Sequence, residues 1–305
     1  MNPYLSVVMV SRNDNHGGDL NERTQACIDS LSEQYQASKL PIEVIMVEWN
    51  SPTDKPLLYQ IINHKHIPFR SIIVPSNIHE TYGQHDRLPI YQMIAKNVGI
   101  RRALGEFVLA TNVDIFFSNE LINRISIKNL NAGLLYRAYR YDAKKGIRTL
   151  KEAQKNLIRI NLSYKDELCT NACGDFQMMH NKDWKYLRGY YEADLFSIHL
   201  DSLFEYHAYY NGFPERIFHP PKVTYHVEHD GGWVPGVEKS KQYNRMNDND
   251  IKKLSYEEFL QIVSMMAKKQ PPFHYNNSDW GLAKYKLEEM WNEEANQFRT
   301  ITKNL

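Results

Sequence analysis

Several features that define common protein classes are scarce or absent in this 305-residue sequence. Cysteine occurs only as Cys27, Cys169 and Cys173, too few for a disulfide framework or a Cys-based zinc site. Neither sign of charge dominates, because 37 Lys and Arg residues are balanced by 36 Asp and Glu residues. Without a broad positive field, the chain is not expected to bind nucleic acid. We therefore expect charged ligands to be bound by a local site.

Long apolar segments and the signature loops of several enzyme classes are also absent. The longest apolar runs, such as residues 5–10, fall far short of the roughly 20 residues that cross a bilayer. The first residues do not resemble a signal peptide, so we expect a cytoplasmic protein. The motifs of P-loop kinases, dinucleotide enzymes, zinc peptidases and serine hydrolases do not occur, which disfavours all four classes.

What the sequence does contain is a folded α/β pattern, with 42% hydrophobic and 12% aromatic residues. Short β-branched runs predict strands over residues 5–10, 42–47, 71–74 and 107–110, with helices over 21–35 and 89–104. Such apolar runs are typical of parallel strands that are buried on both faces. The pattern predicts an open, doubly wound, mostly parallel sheet, whose ligands bind beyond the carboxyl ends of its strands.

After residue 118 the sequence no longer alternates regularly between strands and helices, and its pattern is typical of a mixed sheet. It predicts strands over 133–139, 176–180 and 222–229, an irregular charged insertion over 140–168, and helices over 181–187 and 201–210. The tail is predicted to be helical. One helix begins at the capping box of Ser255 and Glu258, and a second spans 282–298.

Polar residues follow three of the parallel strands, at 11–14, 48–51 and 111–114. Asp114 comes directly after a buried strand, where an unpaired carboxylate is costly, so it needs a cation, a positive side chain or water. A Mg²⁺ or Mn²⁺ ion that bridges a diphosphate would satisfy it, and so would a helix-capping role. His226 and His229 end the last predicted strand and are candidate metal ligands. With 12 histidines in the chain, a structural role for this pair also stays open.

The helix over 89–104 places Asn97 on the same face as Met93 and Ile94, turned toward the sheet. A buried amide must be hydrogen-bonded, and its partner could be backbone or a bound nucleotide. The adjacent Lys96 belongs to the same candidate pocket. Arg87, before the helix, could bind phosphate or base, or be solvated.

Two carboxylates are candidates for a general base. Asp201 begins a predicted helix, where it could cap backbone N–H groups or deprotonate a hydroxyl from the cleft. Asp175 is the competing candidate, and Gly174 before it would let a substrate approach the backbone closely.

In their order along the chain, residues 5–13, 43–52, 95–114, 174–180 and 226–233 resemble the GT-A fold glycosyltransferases. The resemblance is to the inverting, family-2-like enzymes with a galactosyltransferase-type C-terminal region, and it covers about residues 4–235. It implies that a hexose or pentose moves from a nucleotide-sugar donor, expected to be a UDP-sugar, to a hydroxyl of a glycan or lipid-linked acceptor. It also implies a divalent metal, Mn²⁺ or Mg²⁺.

The resemblance assigns roles to individual residues. Asp114 matches the last carboxylate of the family's D-x-D metal motif, His229 matches the C-terminal metal histidine, and His226 stands where a second ligand could lie. The sequence departs from the family at Asn112, which replaces the first Asp of D-x-D and lowers the negative charge at the metal. The residues assigned to the nucleotide pocket are Ser11, Arg12, Asn13, Glu48, Asn50, Arg87, Lys96, Asn97, Asn112 and Val113.

The same resemblance matches Asp201 to the carboxylate that deprotonates the acceptor and places Asp175 where the family contacts acceptor. It divides the chain into a nucleotide-sugar-binding half (1–118), an acceptor half of the same domain (119–235) and a helical extension (236–305). The extension could close over the acceptor, form a homodimer contact or rest peripherally on a membrane. Because of Asn112, a noncatalytic nucleotide- or glycan-binding protein on the same fold is the alternative function. Trp233, Tyr190 and Tyr191 could stack on sugars or pack in the core.

Overall fold

The computed structural model describes residues 2–160, 168–230 and 250–302. One ten-stranded sheet organises this part of the chain. Its strands are β1 (Leu5–Ser11), β2 (Ile42–Trp49), β3 (Phe69–Val74), β4 (Phe107–Ala110), β5 (Ile115–Phe117), β6 (Leu135–Ala143), β7 (Leu157–Ile160), β8 (Gln177–His180), β9 (Glu215–Val227) and β10 (Glu288–Trp291). The helices are α1 (Leu20–Ser38), α2 (Leu58–Ile61), α3 (Ser76–His79), α4 (Gln92–Arg102), α5 (Asn119–Ser126), α6 (Leu150–Lys155), α7 (Asn181–Leu187), α8 (Leu200–Tyr210), α9 (Tyr256–Ala267) and α10 (Glu293–Thr302).

The strand order is β10-β3-β2-β1-β4-β8-β6-β9-β5, with β7 paired to β6. Strands β3, β2, β1 and β4 are parallel, as are β6 and β9. The pairs β10–β3, β4–β8, β6–β8 and β5–β9 are antiparallel. The predicted fold class is therefore confirmed: a doubly wound α/β sheet with a parallel N-terminal half, a mixed C-terminal half and a largely helical tail.

Two apolar cores lie on opposite faces of the sheet. Successive side chains of a strand point to opposite faces, so Val8 of β1 packs in the core beneath α4, whereas Val7 and Met9 pack in the core that includes α1. Strands buried on both faces explain the uninterrupted apolar runs in the sequence. All three cysteines are free and buried. None of the helices in the described ranges has both the length and the apolar character needed to cross a bilayer.

Several predicted boundaries are wrong. Helix α4 begins at Gln92 rather than at Pro89, whose carbonyl accepts a hydrogen bond of 2.7 Å from Arg12 Nη1. The insertion predicted as irregular contains the end of β6, the capped helix α6 and β7. Strand β9 begins at Glu215, upstream of the predicted start at residue 222. Trp233 and part of the predicted insertion lie outside the described residues, and the segment boundaries at 118 and 235 stay predictions.

The predicted tail helix over 282–298 is also wrong, because this segment contains β10 before α10 begins at Glu293. Glu289 of β10 forms an ion pair of 3.0 Å with the buried Arg70 of β3. The Asn292 side chain accepts a hydrogen bond of 3.0 Å from Phe69 N and donates one of 2.9 Å to Ile67 O. These tertiary contacts override the helical periodicity of the segment.

Candidate metal and substrate site

Strand pairing brings Asp114 and His226 together. Asp114 stands directly before β5, and β5 pairs with β9 in a register that sets Ile115 opposite His226. The backbone N–H of Val227 also donates to the Asp114 carbonyl at 3.1 Å. His229 follows the end of β9 by two residues. The antiparallel pair therefore brings a residue from the end of the N-terminal half to two histidines more than 100 positions away.

The side chains of Asp114, His226 and His229 form a compact cluster. His229 Nε2 lies 3.0 Å, and His226 Nε2 3.9 Å, from Asp114 Oδ2. One potential ligand atom from each residue lies within 4.8 Å of the others. Asp114 is only 6% exposed. This geometry is compatible with a shared metal ion.

The two imidazoles are oriented by their other ring nitrogens. His226 Nδ1 lies 3.3 Å from Asp142 Oδ1, and His229 Nδ1 lies 3.2 Å from the carbonyl of Asp230. Each Nδ1 thus faces an acceptor oxygen and can carry the proton, which leaves Nε2 as the atom directed at Asp114. Burial lowers the pKa of His226, but the hydrogen bond that His226 donates to Asp142 and the charge of Asp114 outweigh burial and raise it above its ordinary value.

Arg23, which the sequence analysis missed, completes the cluster. Its Nη1 lies 3.0 Å from Asp114 Oδ2, and its Nη2 donates to the carbonyls of His16 at 2.6 Å and Gly18 at 3.0 Å. Gly17 between them has a φ of 72°, and a Cβ there would clash with the His229 ring. Arg23 therefore fixes both the carboxylate and the loop that follows β1.

The donor set fits a divalent cation. Burial would raise the pKa of Asp114, but the hydrogen bond from His229 and the charges of His226 and Arg23 lower it well below its usual range, so the carboxylate is ionised. Its Oδ1 is buried and has no hydrogen-bond partner among the described residues. Two imidazole nitrogens with one carboxylate oxygen favour Mn²⁺ over Mg²⁺, which prefers oxygen ligands.

Asn112 and Asp175 are hydrogen-bonded to each other and are not members of the cluster of Asp114, His226 and His229. Asn112 Nδ2 donates to Asp175 Oδ1 at 2.8 Å, and its own Oδ1 accepts from Gln92 at 3.1 Å. Asp175 Oδ2 forms an ion pair of 3.0 Å with Arg140. Both oxygens of Asp175, which is 5% exposed, are therefore engaged by protein groups.

Asp201 lies in the first turn of α8, which begins at Leu200, and it is only partly buried. Its Oδ2 accepts from Gly174 N and its Oδ1 from Ser202 N, each at 2.9 Å. A Cβ at Gly174 would lie 2.8 Å from Oδ2. The glycine is therefore required for the close approach of Asp201, and not for that of a substrate.

Lys96 is engaged by an internal contact rather than exposed to a ligand. The residue is fully buried, and its Nζ donates to the Gly174 carbonyl at 2.8 Å. Burial lowers the pKa of Lys96, while the nearby carboxylates of Asp201 and Asp175 oppose that lowering. Its ammonium group therefore places a positive charge beneath both carboxylates.

Two candidate nucleotide ligands are occupied by internal contacts. Glu48 is fully buried and accepts from Leu58 N at 2.6 Å and from Ser71 Oγ at 2.6 Å, and burial raises its pKa. Asn97 is also fully buried, and its amide bonds to Tyr190 N and O, each at 2.8 Å, and to Glu192. The sequence left backbone or a bound nucleotide as partners of Asn97, and the structure shows backbone.

The other nucleotide candidates differ in accessibility. Ser11, Asn13 and Val113 are buried. Asn13 donates to the Pro56 carbonyl at 2.9 Å. Arg12 is partly exposed beside Asp14, and Asn50 is partly exposed with a φ of 48°. Arg87 has a 41% exposed side chain and pairs weakly with Asp86 and Asp250, at 3.7 Å each.

Comparisons with known proteins bear on the fold. No family model and no curated protein matches the chain. Among solved structures, S. aureus TarS 1-349, from a glycosyltransferase, matches with a TM-score of 0.50 and 16% identity, covering 73% of this chain and 60% of that one. S. aureus TarS matches with a TM-score of 0.50 and 16% identity over 86% of this chain and 42% of that one. The same 1-349 fragment in complex with UDP-GlcNAc has a TM-score of 0.49 and 14% identity, covering 86% of this chain and 71% of that one.

This chain therefore spans less than two thirds of the first TarS structure to which it is similar. At these identities the similarity concerns the fold alone. The chain has an α/β fold of the kind found in a glycosyltransferase, consistent with a GT-A-like architecture.

Proposed function

We propose that the chain is a metal-dependent, inverting glycosyltransferase that moves a sugar from a UDP-sugar to a hydroxyl of a glycan or lipid-linked acceptor. One observation carries the proposal: Asp114, His226 and His229 converge near the carboxyl ends of the parallel strands, and a buried Asp114 oxygen there has no partner in the described chain. Ligands of doubly wound sheets bind at that edge. The fold similarity to TarS supports the same class.

The residues of the cluster have complementary roles in this proposal. A divalent cation bound to Asp114, His226 and His229 would neutralise the charge of the leaving diphosphate. Asp142 orients His226 through Nδ1, and Arg23 forms an ion pair with Asp114. Arg12, which directly follows β1 and is partly exposed, would contact the donor phosphates.

Asp201 is the proposed general base. Its two oxygens each accept one backbone N–H, which fixes the carboxylate while each oxygen keeps a lone pair for the proton of the acceptor hydroxyl. Asp175 is the weaker candidate, because Arg140 and Asn112 already engage both of its oxygens. A single in-line displacement by the deprotonated hydroxyl would invert the anomeric carbon.

A noncatalytic nucleotide- or glycan-binding protein is the second candidate. The observation that favours it is the ion pair between Arg23 and Asp114, which reduces the net charge available to a metal. The two functions predict different products, since only an enzyme releases nucleotide from a sugar nucleotide.

The test is to incubate the protein with UDP-, GDP- and dTDP-sugars, Mn²⁺ and a mixture of glycan and lipid-linked acceptors, and to measure released nucleotide and glycosylated acceptor. We expect release from a UDP-sugar, no transfer by Asp201→Asn with UDP affinity retained, and weaker Mn²⁺-dependent UDP binding by Asp114→Asn. The control is Asp279→Asn, at an exposed position in the tail, which should behave like wild type. Nucleotide binding without release from any donor would instead support the noncatalytic protein.

A further inference from the structure

An aromatic cluster lies beside the end of α8 that carries Asp201. The ring of His199, two residues before Asp201, lies 6.0 Å from that of Tyr256 and 5.6 Å from that of Phe259. Tyr206 of α8 lies 5.7 Å from Phe259. Helix α9 thus packs its first turn against α8, and we call His199, Tyr206, Tyr256 and Phe259 the Tyr256 platform.

Tyr256 is the exposed member of this platform. The rings of Tyr256 and Phe259 are inclined by only 17° with centroids 6.0 Å apart. Phe259 is 5% exposed, whereas Tyr256 is 63% exposed, the highest value among the exposed large hydrophobic residues in the described ranges. A tyrosine supported from behind by a buried ring presents a rigid apolar face and a polar tip to solvent.

The platform is fixed relative to Asp201 by backbone contacts. Phe196, in the loop before α8, donates its N–H to the Lys252 carbonyl at 2.9 Å and forms a parallel β-bridge with Lys253, shortly before α9. Two residues span at most about 7 Å, so His199 cannot be far from Asp201. Tyr256 therefore lies within reach of a ligand a few sugar units long that is bound at Asp201.

The surroundings of Tyr256 match a polyhydroxylated ligand better than a membrane. Ser255 and Glu257 are exposed on either side of it, and carboxylates accept hydrogen bonds from hydroxyl groups. Lys252 and Lys253 before α9 are balanced by Glu257 and Glu258 in its first turn, so this surface does not carry the excess of basic groups that an anionic membrane attracts. Burial lowers the pKa of His199, against the opposing charge of Asp201, so this ring is neutral at pH 7.

We propose that the Tyr256 platform binds a sugar ring of an oligosaccharide acceptor, beyond the sugar whose hydroxyl Asp201 would deprotonate. This inference rests on the proposed function and narrows its acceptor to a saccharide chain. The apolar C–H face of the sugar stacks on Tyr256 while its hydroxyl groups face the polar neighbours. A single sugar has one ring and cannot occupy both the position at Asp201 and the platform, so the contribution of Tyr256 grows with acceptor length.

The test is to titrate cellotetraose and chitotetraose into wild type, Tyr256→Ala, Tyr256→Trp and Tyr209→Ala by calorimetry, with glucose and N-acetylglucosamine as short probes. Tyr209, at the other end of α8, is 41% exposed and is the matched control. We expect Tyr256→Ala to weaken binding of at least one tetrasaccharide about tenfold, whereas Tyr256→Trp and Tyr209→Ala retain it. Neither the single sugars nor UDP should distinguish the variants.

Equal tetrasaccharide affinity for wild type and Tyr256→Ala would overturn the inference, as would absence of tetrasaccharide binding to wild type. It would also be overturned if Tyr256→Ala altered only self-association in sedimentation or binding to phosphatidylserine vesicles. A different result would contradict the proposed function alone. In that case the wild-type protein would bind tetrasaccharide through Tyr256 but would release no nucleotide from any sugar nucleotide.

Discussion

Removal of the Arg23 charge should tighten metal binding. Arg23 Nη1 lies 3.0 Å from Asp114 Oδ2, so a cation held by this carboxylate would lie about 5 Å from the guanidinium. At an effective dielectric constant near 20, the repulsion between a divalent and a single charge at that distance is about 7 kcal/mol. Even a third of this, about 2 kcal/mol, corresponds to a roughly 30-fold change in Kd.

The substitution Arg23→Met also removes the arginine partner of a buried carboxylate, and breaking a buried ion pair costs about 3–5 kcal/mol when no cation replaces the lost charge. We therefore expect Arg23→Met to have a lower Tm than wild type without metal, a tighter Kd for Mn²⁺ by titration calorimetry and a larger gain in Tm with Mn²⁺. The control is Arg124→Met, because Arg124 is a partly exposed arginine of α5 whose guanidinium bonds Asn129, beyond the end of the helix. Unchanged or weaker Mn²⁺ affinity in Arg23→Met would refute the electrostatic reasoning.

Three further predictions concern the site and the tail. Asp142→Asn should weaken Mn²⁺ binding about 10–100-fold, because it loosens the orientation of His226, as calorimetry can measure. Gly174→Ala should reduce transfer at least tenfold by displacing Asp201 without changing UDP affinity, which activity and binding assays together can check. Burial lowers the pKa of His207 to about 4, so the unfolded chain binds the extra proton below about pH 6.5 and stability falls as the pH drops. Between pH 7 and pH 5, protonation of His207 in the unfolded chain should lower the free energy of unfolding by about 2 kcal/mol. Urea titrations of His207→Gln at the two pH values should not show this decrease.

Each of these predictions has an outcome that would contradict it. If Asp142→Asn binds Mn²⁺ as tightly as wild type does, the contact between Asp142 and His226 Nδ1 does not contribute to metal affinity. Full-rate transfer by Gly174→Ala would argue against Asp201 as the base. An identical pH dependence in His207→Gln would assign the acid sensitivity to another group.

The sequence was most informative about the parallel half of the sheet. The apolar runs of β1, β2 and β4 predict buried strands because such strands have no solvent-facing side to interrupt the pattern. Polar residues after those strands also predict where a site would form. The position of Asp114 beside His226 and His229 required the resemblance to a family, since local sequence cannot show that β5 pairs with β9.

Other features could not be predicted from local patterns. The segment of β10 has helical periodicity but becomes a strand because Glu289 and Asn292 find partners near β3. Asn97 and Glu48 looked like ligand-binding residues because a buried polar group needs partners, and the sequence does not reveal that the protein supplies them. A signal for Arg23 was present: it shares a buried helix face with Leu20 and Cys27, where an unpaired charge is costly.

The pairing of β10 with β3 has a consequence for how the chain can be shortened. An uncovered outer strand offers its N–H and C=O groups to any other extended chain and so promotes aggregation. Strand β10 occupies this position and places acidic Glu288 and Glu289 along the edge of the sheet. A truncation before Glu288 would therefore leave the edge of β3 unpaired and produce insoluble protein, even though the residues of the proposed metal and substrate site would all still be present.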